Sequence, residues 1–304
     1  MDIGGLLIVI GSVLGFVAVG VVLRVTGLLS ADDARPLNTV LLWVALPALI
    51  FNAVHASPLD PSLAMLPAIG WVVALVGLVA SWALARLLKL EGPTAGAFIM
   101  VCTFGNTAYV GYPVAQALVG DAGLVRAIFS DVFGNTAAVI SLGTLVASRY
   151  GAHDVKVNPL KEIVTFPPFI ALAAALILHS VPVPDALNSW LAALGKLVVP
   201  MIMISVGLTL KPRALRGHLA HASVVAAMKL VVLPLLAFAL GSLLLGGDVA
   251  SLRIAVLEAG VPTMMLIMIM GLRFKLDTDF IASAILLTMV GAVVSIPLLQ
   301  LLIG

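Results

Sequence analysis

The sequence predicts an all-α membrane protein of ten transmembrane helices. They form two inverted five-helix repeats, whose fourth and ninth helices are broken and cross. Three observations carry this. Of 304 residues, 62% are apolar and only 10% charged, where a soluble domain has about a quarter charged. The apolar runs are continuous over about 20 residues, the length that crosses hydrocarbon as helix, and lack the alternation of a barrel wall. Lys and Arg gather at every second connection.

Ten spans follow, at roughly 3–24, 36–54, 62–88, 93–118, 124–148, 159–180, 188–210, 217–245, 250–272 and 280–303. The first has no basic flank ahead of it and is long enough to span, so it reads as a helix and not as a cleaved leader. The second and seventh carry prolines, in Leu46-Pro-Ala-Leu-Ile-Phe-Asn52 and Val199-Pro-Met-Ile-Met-Ile-Ser205. The fourth contains Cys102-Thr-Phe-Gly-Asn-Thr-Ala-Tyr-Val-Gly-Tyr-Pro-Val-Ala115, a poor sequence for an unbroken membrane helix. The fifth holds Asp131, Asn135 and Thr136, and the eighth Lys229. The ninth reads Glu258-Ala-Gly-Val-Pro-Thr263. The longest hydrophilic break, Arg149 to Lys161, joins spans five and six and leaves no room for a soluble domain.

The odd connections hold Arg24, Arg35, Arg86, Lys89, Arg149, Lys156, Lys161, Lys211, Arg213, Arg216, Arg273 and Lys275, most of the basic residues. Arg126 and Arg253 lie by even connections, and Lys196 and Lys229 within spans. The positive-inside rule then places odd loops in the cytoplasm and both termini outside.

Aligning Pro47 with Pro200 gives a 153-residue offset, and the same offset carries Pro262 to Tyr109, inside the interrupted stretch. Residues 1–150 and 157–304 therefore read as two copies. With five spans each, the second copy is inverted. Inverted repeats with interrupted helices at matching positions point to a secondary transporter, with its site where the breaks cross.

At such a break, freed backbone groups are tolerated only in protein or beside a wet cavity. Half-helix N-termini can face an anion and unwound carbonyls a cation. Candidate substrate contacts are Asn106, Thr107, Tyr109 and Pro113 in span four, Asn135 in span five, and Gly260, Pro262 and Thr263 in span nine. A carboxylate within a membrane span is a functional candidate. Glu258 can bind Na⁺ or carry a proton, alongside Asn106, Asp131 and Thr136; the bland alternative is a tie to Lys229 or Arg253. Asp131 and Asn135, four apart, share a helix face. Lys229 can attract an anion or balance Glu258. The echo of Phe104-Gly-Asn-Thr107 in Phe133-Gly-Asn-Thr136 reads as coincidence, because spans four and five are not repeat partners.

Other motifs argue against an enzyme or a nucleic-acid partner. The chain has no Walker A loop, no HExxH and no nucleophile elbow. A net charge of +2 from loop residues gives no nucleic-acid surface. One cysteine, Cys102, precludes an internal disulfide. Asp32 and Asp33 read as a helix-capping pair, His179 as interfacial, and the Met264–Met270 cluster as flexible lining. Trp43, Trp71, Trp82 and Trp190 read as interface anchors.

Gly105-Asn-Thr-Ala-Tyr-Val-Gly-Tyr-Pro113 resembles the Asn-Thr-x-aromatic-x-Gly-x-Pro stretch of the auxin efflux carrier family, and Glu258-Ala-Gly-Val-Pro262 resembles that family's span nine. The proline segments of spans two and seven fit as well, so the resemblance covers essentially the whole chain. It implies a fold like that of bile-acid sodium symporters and sodium/proton antiporters. Spans 3–54 and 159–210 would form a scaffold, dimeric through its helices. Spans 62–148 and 217–303 would form a moving transport domain. The resemblance also implies a small organic anion as substrate, a carboxylate or auxin-like acid, carried by an elevator-like slide in the inner membrane. Glu258-x-Gly260 resembles the symporters' Na⁺-binding glutamate. The long regulatory loop of plant members is absent after span five. No cofactor is expected beyond a coupling Na⁺ or H⁺. The rival reading is an anion channel or a membrane ligand sensor on the same fold.

Overall fold

The computed structural model describes residues 3–152, 158–209 and 217–303. Lys156, Lys211, Arg213 and Arg216, four of the residues used to orient the chain, lie outside them. The regular structure is helical: α1 (Ile3–Val25), α2 (Ala34–His55), α3 (Pro61–Leu87), α4 (Gly92–Thr103), α5 (107–119), α6 (Asp121–Tyr150), α7 (Pro159–Thr165), α8 (Pro167–Ile177), α9 (Asp185–Thr209), α10 (Leu219–Leu244), α11 (Val249–Gly260), α12 (Leu266–Phe274) and α13 (Thr278–Leu301). Among the described residues, six helices are long and apolar enough to cross a membrane, seven if the bent pair α7–α8 counts as one. That is an all-helical membrane protein.

Interruptions fall at 104–106 and 261–265, inside the two segments read as broken. Phe104 and Val261 are both extended. For Val261 the cause is Pro262, whose ring disfavours helix in the preceding residue. The same chemistry bends the chain by 59° between α7 and α8, where Phe166 is extended ahead of Pro167 and Pro168.

Prolines also act inside continuous helices. Pro47, Pro113 and Pro234 each lie two residues beyond a π turn, at Leu41–Ala45, Thr107–Gly111 and Met228–Val232. A proline has no N–H for the carbonyl four residues back, and its ring pushes that carbonyl aside. The preceding residues adjust by wider bonding, as in Gly111 N–H to Asn106 O at 3.4 Å. So Pro113 is not at the break of span four; it shapes the π turn that follows the break.

The chain divides into two compact units. The first comprises 1–60, 112–128 and 163–210. Here α1 lies along the second half of α9. Gly20 and Gly207 face each other so closely that a methyl on Gly20 would strike the Ile204 carbonyl and come within 2.9 Å of Gly207 Cα. Small residues at such a crossing let backbones meet without a hydrophobic driving force. Polar ties flank it: Arg24 donates to Leu208 O at 3.0 Å and Ser205 to Asn38 Oδ1 at 2.9 Å. His55 stacks on Phe51, bonds to Val181 O at 2.9 Å through Nε2 and meets the edge of His179. Asp33 does not cap α2 as expected. Its carboxylate turns back to Ser30, accepting from its N–H and its hydroxyl at 2.7 Å each, and these bonds hold the carboxyl below the usual carboxylate range.

The second unit comprises 61–111, 129–162 and 211–304. Within it α3 packs on α4, α10, α11 and the middle of α6, and α13 packs on α4, α10 and α11. Asp248 caps α11 through Ser251, and Asp277 caps α13 through the Phe280 N–H. Asp277 also accepts from Thr94 at 2.8 Å, tying α4 to the same end. Trp43, Trp82 and Trp190 are exposed. Trp71 differs: its indole donates to Phe133 O at 2.8 Å, inside a further π turn of α6, Asp131–Thr136.

Candidate functional site

The two interruptions meet in the second unit. Gly105 and Thr263 pair antiparallel as an isolated bridge. Asn106 N–H donates to Pro262 O at 2.7 Å, and Met264 N–H to Phe104 O at 3.1 Å. Each break thus satisfies backbone groups that the other frees, as hydrocarbon requires. The paired residues are further apart in sequence than the 153-residue offset of Pro47 and Pro200.

A side chain completes the pairing. The Asn135 amide accepts from Gly105 N–H at 3.2 Å and donates to Gly105 O at 2.9 Å, as a neighbouring strand would. Its second amide hydrogen goes to Thr107 Oγ1 at 2.9 Å. Thr107 and Thr136 both donate to Asp131 Oδ1, at 2.6 and 2.7 Å. Both are short O–H···O bonds, so one Asp131 oxygen gathers two hydroxyls. The two Phe-Gly-Asn-Thr stretches are therefore bonded to each other, through Asn135. The π turn of α6 gathers Asp131, Asn135 and Thr136 on that side.

Thr263 is fully buried and structural: its N–H donates to Thr288 Oγ1 and its hydroxyl to Val101 O. A Cβ on Gly260 would lie 3.0 Å from Leu299 Cδ1 and 3.2 Å from Pro234 Cβ, a tight fit. Asn106 is buried, and its Nδ2 has no partner among the described residues. Tyr109 lies in the π turn Thr107–Gly111. Pro113 belongs to the first unit.

Glu258 and Lys229 are buried in the second unit at 6% and 1% exposure. Neither Glu258 oxygen has a hydrogen-bond partner among the described residues, so it is not bonded to Asn106, Thr136, Lys229 or Arg253. It packs on Gly111, where any side chain would strike Glu258 Oε1. Lys229 donates to Ala259 O, in the last turn of α11, at 2.9 Å. A Cβ on Gly105 would lie 2.9 Å from Lys229 Nζ. Glu258 and Lys229 line one cavity of about 30 Å³ with Thr103, Thr107, Ser130 and Asn135. A buried water needs about 10–15 Å³, so the space suits two waters or one small ion.

Thr103, Ser130 and Thr288 were not singled out from sequence, because a hydroxyl in a membrane helix has no pattern that separates lining from back-bonding. Lys229 had a readable signal in Pro234, five residues on, which marks its π turn.

The chain matches the family described as membrane transport protein over residues 6–300. A protein of Methanothermobacter thermautotrophicus, named only as an uncharacterized transporter, is 33% identical over 290 residues, covering 94% of this chain and 95% of the relative. Another uncharacterized transporter, from Methanocaldococcus jannaschii, is 31% identical over 287 residues, covering 91% and 92%. A Rhizobium meliloti protein provisionally named a malonate transporter is 26% identical over 275 residues, covering 86% and 84%.

Proposed function

Because the chain belongs to the membrane transport protein family, we propose that it carries a small organic anion, a carboxylate of the malonate class, by alternating access. The observation that supports this most is the antiparallel pairing of two unwound segments beside a cavity lined in part by charged and polar side chains in the second unit. Broken helices that meet in this way present amide ends to an anion and carbonyl ends to a cation. The name of the Rhizobium relative supplies the substrate class.

In this reading Asn106, with its buried amide NH₂, and the first amides of the π turn at Thr107–Tyr109 receive a carboxylate. Asp131 with Thr107 and Thr136 holds the fixed negative charge, and Glu258 is the ion-coupling carboxylate, for Na⁺ or H⁺. About 30 Å³ does not admit a dicarboxylate, so substrate enters only when the cavity walls part. We further propose that the halves are inverted repeats, that the second unit moves and the first is the fixed, dimer-forming part, and that the membrane is the cytoplasmic one with both termini outside.

The test is uptake of labelled malonate, malate and an auxin-like acid into proteoliposomes under imposed Na⁺ and H⁺ gradients. Saturable, counterflow-stimulated uptake is expected. Asn106→Ala and Pro262→Ala should lose it while still inserting and purifying, and Glu258→Gln should lose its dependence on the gradient. Ohmic current without saturation would instead make the protein a channel, and binding without flux a sensor.

A further inference from the structure

We propose that the ammonium of Lys229 is a resident cation, covalently placed where a coupling Na⁺ would bind, so that the transporter works without Na⁺. This rests on the reading of the second unit as the transport site, and it selects among the ions that reading leaves open.

The carbonyl end of a half-helix carries about half a negative charge. In transporters with broken helices, that end and the unwound carbonyls beyond it coordinate the coupling cation. In this chain the carbonyl end of α11 is already taken. Lys229 Nζ donates to Ala259 O at 2.9 Å. The same nitrogen reaches the other break, since a Cβ on Gly105 would stand 2.9 Å from it and 3.3 Å from Glu258 O. One positive group therefore serves both interruptions.

Its position is built, not incidental. Lys229 lies in the π turn Met228–Val232, which Pro234 imposes on α10, and π turns recur at functional sites. It is 1% exposed, so its stem does not lead the charge to water. The cavity it lines with Glu258 holds about 30 Å³. A Na⁺ there would sit beside a fixed like charge, and low surrounding polarity makes that repulsion strong. The ammonium also leaves a positive group facing an arriving carboxylate, the role a coupling Na⁺ otherwise fills.

The test compares wild type with Lys229→Met, and with Lys229→Gln should the Met variant not purify. Wild-type uptake of labelled malonate should be the same in Na⁺ and in choline, and Na⁺ should not move its melting midpoint. The variant should lose about tenfold in choline, the scale of one lost charge-assisted hydrogen bond, and regain part of it in Na⁺. Na⁺ at about ten times its dissociation constant should raise the variant's midpoint by about 2–4 °C. Na⁺-stimulated uptake or a Na⁺-dependent midpoint in wild type would overturn the proposal. So would a variant indifferent to Na⁺ in both assays. Should wild type move no malonate, the substrate reading fails, while the melting comparison still decides the role of Lys229. Should neither variant purify, the wild-type Na⁺ comparison decides alone.

Discussion

Replacing Asn135 by Leu keeps the side chain's size and removes every hydrogen bond it makes. Three short bonds are lost, two to Gly105 and one to Thr107, with a long 3.9 Å contact to Met264 Sδ. Hydrogen bonds between membrane helices average about 0.6 kcal/mol, so the three together contribute about 2 kcal/mol. The substitution also strands the N–H of Gly105, an unwound residue in a buried segment whose carbonyl keeps the Thr107 hydroxyl at 3.5 Å, for about 1 kcal/mol more at the low end of such penalties. The low end applies because Asn135 is only half-buried and water can relieve part of the loss. The total is about 3 kcal/mol, or a fall of about 5 °C in melting midpoint for a chain of this size. Thermal unfolding of the purified protein, followed by tryptophan fluorescence, measures it. Ser141→Ala is the control, since that hydroxyl bonds only to carbonyls of its own helix. An Asn135→Leu protein that melts within about 1 °C of wild type and transports at the wild-type rate would refute the claim that this amide stands in for a strand.

Gly111→Ala should displace the Glu258 carboxylate, because the new methyl would occupy the place of Oε1. Transport should fall about tenfold or more, whereas Gly15→Ala, which meets nothing within 4 Å, leaves it unchanged. Gly20→Ala should separate α1 from α9 and destabilise the protein by about 1–3 kcal/mol, read as a lower melting midpoint. Arg273→Gln breaks the 2.7 Å ion pair with Glu162, whose side chains are 46% and 37% exposed. That change should cost less than about 1 kcal/mol and shift the midpoint by no more than about 2 °C.

Six long apolar helices were readable from apolar run length, and the two interruptions from glycine and proline placed where hydrocarbon forbids open backbone. Less readable was what a proline does short of breaking a helix. Pro47, Pro113 and Pro234 each leave the helix running and widen the turn before it, which rotates the side chains in that turn. Lys229 turns inward by that route. Asp131, Asn135 and Thr136 share a π turn that no proline marks, and we have no sequence rule for it. The likeness of the two Phe-Gly-Asn-Thr stretches was set aside because repeat symmetry does not relate them. The contact between them is local chemistry: an asparagine fits an extended glycine, and a threonine pair fits a carboxylate. Asp33 shows the same limit at smaller scale, since a residue ahead of a helix can bond forward or back, and only the turn geometry decides.

The two-pronged grip of Asn135 on Gly105 acts like a key in a keyway. A helical residue advances its side chain by about 100° of rotation and about 1.5 Å of travel, so a shift of α6 by a single position would tear away both prongs together. Small slippage there is thereby opposed, and the 104–106 break and the Asp131–Thr136 π turn act as one block. Any cycle of inward and outward opening built on this fold has to gather its movement at the block's margins, where amide hydrogen exchange should be fast, while the amides of Gly105 and Asn106 exchange slowly throughout.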